Sequence, residues 1–89
     1  MKKIILTSDI CVDKESLHDF LARELAFPDW YGGNLDALYD CLTDLREEVT
    51  IAVPDLDGIE AQLGGYARKV MRVFIDASRE NPNLYLEAT

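Results

Sequence analysis

Apolar positions along this chain alternate between two spacings. Residues 3–7 form a short Ile-rich apolar run, suited to a buried strand. Leu17, Phe20, Leu21 and Leu25 then recur every three or four residues, which predicts a helix over 14–26 with Asp13 as its cap. Pro28 closes that helix, and Phe27-Pro28-Asp29-Trp30-Tyr31-Gly32-Gly33 reads as an aromatic loop with a glycine pair. Asn34 is a good N-cap for a second helix over 35–45, with Leu35, Leu38, Leu42 and Leu45 on one face.

The second half repeats the order. Residues 49–53 are β-branched and apolar, closed by Pro54. A short helix over 55–63 follows, weakened by Gly58 and stopped by Gly64-Gly65. The longer pattern at 66–80 turns Ala67, Val70, Met71, Phe74 and Ala77 inward. Asn81-Pro82-Asn83 is a turn, and 84–87 a last strand. Strands separated by helices need crossover connections, so the expected fold is α/β. It is a three-stranded parallel sheet packed by about four helices, in one compact domain over 1–89.

Composition narrows the function. With 89 residues there is no room for a catalytic domain beside a regulatory one. Nine Lys+Arg against 17 Asp+Glu give a net charge of -8, so the chain repels nucleic acid and anionic lipid and attracts basic proteins or cations. An acidic balance also serves solubility alone. The apolar stretch behind Met1-Lys2-Lys3 stops at Thr7, short of the roughly 7–15 residues of a signal-peptide core. No run approaches membrane-spanning length. A cytoplasmic protein is expected, with Cys11 and Cys41 reduced and acting as small buried apolar residues.

Catalytic constellations are missing. Cys11, Cys41 and the single histidine, His18, cannot assemble a zinc set. His18 is read as an exposed residue on the polar flank of the first helix, with no nucleophile marked beside it. Neither glycine pair is a phosphate loop, and Asp55-Leu56-Asp57-Gly58 lacks the spacing of a calcium loop. No metal, no cofactor and no enzymatic activity are expected.

The second helix is the unusual element. Asp36, Asp40 and Asp44 follow one another at i, i+4 and i+8, so their carboxylates stack on roughly one face, bordered by Tyr39, Thr43 and Glu47. Asp36 is favoured by the helix N-terminus. Each like-charged i,i+4 pair costs about 0.2–0.5 kcal/mol. Three readings are open: a solvated acidic face, a weak divalent-cation site, or a recognition surface for a basic partner. Trp30 and Tyr31, leading straight into the acidic face, favour the last, since interfaces enrich aromatic residues.

Residues 28–43, Pro-Asp-Trp-Tyr-Gly-Gly-Asn-Leu-Asp-Ala-Leu-Tyr-Asp-Cys-Leu-Thr, closely resemble the signature segment of the barstar family, intracellular inhibitors of barnase-type ribonucleases. The Lys-Lys start, Glu24-Leu25-Ala26 and Val73-Phe74 extend the likeness, while residues 55–68 carry no match. The resemblance implies a three-stranded parallel sheet flanked by helices, and a loop and helix that plug a nuclease's active-site cleft. It implies a central role for Asp40 where substrate phosphate binds, with Asp36 meeting a further basic group. It places Trp30 over the catalytic histidine, and Gly32, Gly33 and Asn34 as hydrogen-bonding partners. Thr43 and Tyr39 would lie at the periphery, and Asp76 would address the cleft's rim. Trp30, Gly33, Tyr39, Asp44 and Asp76 stand where the family has Tyr, an acidic residue, Trp, Gly and Glu, which implies a related nuclease and a shifted contact surface. The implied partner is a small basic secreted ribonuclease bound 1:1. An acidic module of the same fold binding a different basic protein, such as a non-ribonuclease toxin, is the alternative.

Overall fold

A computed structural model describes residues 2–87; the ends of the predicted domain, residues 1, 88 and 89, lie outside them. The elements run β1 (Lys2–Ile5), α1 (Lys14–Glu24), α2 (Leu35–Thr43), β2 (Val49–Ala52), α3 (Leu56–Leu63), α4 (Gly65–Glu80) and β3 (Leu84–Glu87). The three strands form one parallel sheet in the order β1-β2-β3. Lys2 pairs with Val49, and Val49 with Leu84. This is the α/β architecture that the alternation of spacings predicts.

Three side chains start three of the helices. Asp13 Oδ1 accepts from the Ser16 amide at 2.7 Å, Asn34 Oδ1 from Ala37 at 2.8 Å, and Asp55 Oδ1 from Gly58 at 3.2 Å. Each satisfies a first-turn N–H that would otherwise lack a partner. The core gathers the expected faces: Leu17 and Leu21 from α1, Leu38 and Leu42 from α2, Phe74 from α4, and Ile4 and Ile51 from the sheet are all essentially inaccessible. Leu35, Leu45 and Met71 pack against this core only partly buried. Both cysteines are buried and unpaired. Burial, and secondarily Asp9, pushes the Cys11 thiol up to about 11.

Two helix ends differ from the sequence pattern, and both lie beside the site. The second helix stops at Thr43, with Asp44 as its C-cap. The first stops at Glu24, because the Phe27 amide turns back to the Ala22 carbonyl at 2.9 Å with Ala26 at φ 52° between them. That is a Schellman-type ending, whose left-handed position normally holds glycine. The left-handed region costs an L-residue about 1–2 kcal/mol, against about 0.4–1 kcal/mol of extra unfolded-state freedom for glycine. Ala26→Gly is therefore expected to stabilise the fold by about 0.5–1 kcal/mol, read as a rise of several degrees in thermal midpoint. An unchanged or lower midpoint would contradict the strain argument.

Candidate functional site

The loop and second helix form one acidic surface. Trp30 is 66% exposed, a large apolar area for a single side chain to leave in water. It joins Ala26, Phe27, Pro28, Asp40, Cys41, Thr43 and Asp44 around an open groove of about 320 Å³. Aromatic side chains and carboxylates line it together. Asp36, Asp40 and Asp44 are exposed, and among the described residues no ion pair involves any of them.

The helix makes two of these carboxylates costlier still. Asp40 lies in the last full turn of α2 and Asp44 caps it, next to carbonyls that carry the negative end of the helix dipole, and the last turn holds no basic residue. The field reaches inward: burial first, then Asp40 and Asp44, raise the Cys41 thiol above its ordinary range. The carboxylates do not converge, and among the described residues no group of three His, Cys, Asp or Glu side chains could hold a metal ion.

The remaining candidates divide in two. Asn34 is exposed and uses its side-chain oxygen as the helix cap, so its amide nitrogen takes no part in that bond. A Cβ on Gly32 would come within 3.1 Å of that nitrogen, so a glycine keeps it accessible. Gly33 sits at φ 67°, in the left-handed region, so a side chain with a Cβ would be strained here. Thr43 donates its hydroxyl to the Tyr39 and Asp40 carbonyls, both at 3.0 Å, and is half-buried beside Tyr39. Asp76 does not line the groove; it pairs with Arg72 on its own helix at 3.5 Å.

Two residues behind this surface carry more than their sequence suggests. His18 is not an exposed helix residue but is 3% accessible, with Nδ1 2.5 Å from Tyr31 Oη and Nε2 2.7 Å from Tyr66 Oη. The correction has a plain cause: His18 stands three residues before Leu21 and seven before Leu25, on the edge of the buried face. That spacing, with tyrosines available to bond it, is the signal that could have found it. Asn81, read as a turn residue, is 5% accessible. Its amide nitrogen donates to the Leu42 and Leu45 carbonyls at 2.9 and 3.0 Å, and so closes the end of α2.

The family description "Barstar (barnase inhibitor)" matches residues 1–86, including the middle stretch in which no motif is recognisable. A Bacillus subtilis (strain 168) protein named "Putative ribonuclease inhibitor YrdF" is 41% identical over 81 residues, covering 90% of this chain and 89% of that relative. No helix among the described residues is long and apolar enough to cross a membrane.

Proposed function

This chain belongs to the barstar family, and from that premise we propose that it inhibits a small, basic, secreted ribonuclease by filling the enzyme's cleft, as a 1:1 complex in the cytoplasm of the producing cell. The observation that carries this reading is the groove that exposed Trp30 shares with Asp40 and Asp44, neither of which is ion-paired among the described residues. A ribonuclease must gather cationic side chains to hold a polyanion. A rigid carboxylate can take the place of a phosphate among them, through charge-assisted hydrogen bonds.

In this reading Asp40 enters the phosphate position and Asp36 meets a second cation nearer the start of α2. Trp30 stacks over the catalytic imidazole. Gly32, Asn34, Tyr39 and Thr43 fill the rim, and Asp44 widens the acidic contact. Asp76, already held by Arg72, contributes a peripheral and weaker attraction. Opposite fields steer the encounter toward about 10⁸–10⁹ M⁻¹s⁻¹ at low salt, falling as ions screen it.

The test is a titration of the purified protein into a barnase-type ribonuclease while RNA cleavage is followed at low and moderate salt. Inhibition complete at one equivalent, with an association rate that falls as salt rises, is the expected result. Undiminished cleavage across a panel of basic ribonucleases would sink the proposal.

A further inference from the structure

We propose that His18 is the positioning residue of the recognition loop: its imidazole, held between the hydroxyls of Tyr31 and Tyr66, fixes residues 28–34 while neutral and holds them less firmly when protonated. The inference rests on the ribonuclease-inhibitor reading only in calling that loop a recognition loop. Its physical content concerns the free protein.

The geometry is that of a clamp across three segments. His18 is on α1, Tyr66 on α4, and Tyr31 in the loop between Trp30 and Gly32. Tyr31 packs against Phe27 at 4.8 Å between ring centroids with the rings tilted, and its amide donates to the Pro28 carbonyl at 3.0 Å, so fixing Tyr31 fixes the turn that presents Trp30. A neutral imidazole has one N–H and one lone pair, and a tyrosine hydroxyl can donate or accept. One hydroxyl donates to the bare nitrogen while the ring N–H donates to the other, and both bonds are made without a net charge.

Protonation replaces this with a cation in a nearly closed site. The charged and titratable groups around it are Lys14, Glu15 and Asp19 on α1, Tyr31 in the loop with Cys41 of α2 behind it, and Tyr66 on α4. Lys14 lies over the Tyr66 ring at 4.6 Å, adding a like charge close by. Neither ring nitrogen has a carboxylate as its hydrogen-bond partner. Burial holds His18 below its ordinary 6.5 despite Asp19, which pulls the other way. The unfolded or opened form therefore takes up a proton first. The clamp's contribution is complete above about pH 6.5, starts to fall there, and is fully lost below the folded-state value.

The free protein gives the test, because it has one histidine and one tryptophan. Between pH 7.5 and 5 the imidazole resonances of His18 and the amide protection factor of Tyr31 are followed by NMR in the full chain. Protection at Tyr31 is expected to fall at least tenfold with the midpoint of the imidazole titration. His18→Gln, which keeps a donor and an acceptor, should abolish that dependence. Tyr31→Phe should lower amide protection across 29–34 already at pH 7.5. Protection that stays flat through the imidazole titration, or the same transition in His18→Gln, overturns the proposal. A loop that loosens in a protein that inhibits no ribonuclease would uphold the clamp and refute only the functional reading.

Discussion

Asp40→Ala is expected to weaken binding to the cognate ribonuclease at least a hundredfold, about 2.7 kcal/mol, while leaving thermal stability unchanged or slightly raised. The two halves have one cause. In the free protein the Asp40 carboxylate is exposed, has no ion pair among the described residues, and stands four residues from both Asp36 and Asp44 near the negative end of α2. Its removal relieves two like-charge contacts of about 0.2–0.5 kcal/mol each and sacrifices no packing. In the complex the same group would be buried among cations, where truncating one member of a hydrogen-bonded charge pair costs about 2–5 kcal/mol or more. The barnase–barstar pair is itself among the systems behind that range, so the scale is taken over from the family. Asp76→Ala should cost less than about 1 kcal/mol, as an exposed ion pair does. Inhibition constants and thermal midpoints for both variants check this; an Asp40→Ala protein that inhibits like wild type would remove Asp40 from the contact.

The second large effect is on stability. Asn81→Ala should destabilise the fold by about 2–3 kcal/mol, because buried polar groups left unpaired cost about 1–3 kcal/mol each. The Asn81 side chain reaches the Leu42 and Leu45 carbonyls, and its oxygen accepts from the Asn83 amide at 3.0 Å. Asn83 also donates to Leu45, so part of the network survives. At about 4–8 °C per kcal/mol for a domain of this size, a drop of roughly 10–20 °C in thermal midpoint is expected. Asn81→Asp should be worse still, since it turns a buried anion toward two carbonyl oxygens. A midpoint within 3 °C of wild type in Asn81→Ala would show that water replaces the side chain, at about no net cost.

These two residues also mark how far the sequence could be read. The place of Asp40 on an exposed acidic helix face beside the aromatic loop was legible because its neighbours Asp36 and Asp44 sit at helical spacing and that loop is adjacent in the chain. The strands, the four helices and the caps at Asp13 and Asn34 were legible for the same local reasons. Asn81 was not, because the carbonyls it satisfies belong to residues 42 and 45, which only packing of α4 against α2 brings near. His18 was misplaced because its partners are the loop Tyr31 and the distant Tyr66. The early ends of α1 and α2 were hidden in the left-handed Ala26 and in the capping role of Asp44, neither of which is a usual helix-stop signal.

The parallel sheet has a consequence for how the chain reaches this state. Residue 2 must find residue 49, and residue 49 must find residue 84, so among the described residues no hairpin starts the sheet. Each strand pairing requires a helical pair to condense between its partners, and closing such long loops delays the first productive strand contact. Until then the centre strand, Val49–Ala52, is an apolar, β-branched edge open on both sides. The surplus of eight negative charges repels other copies during that interval. The acidity of the folded surface would thus also keep newly made chains apart while their sheets are unfinished.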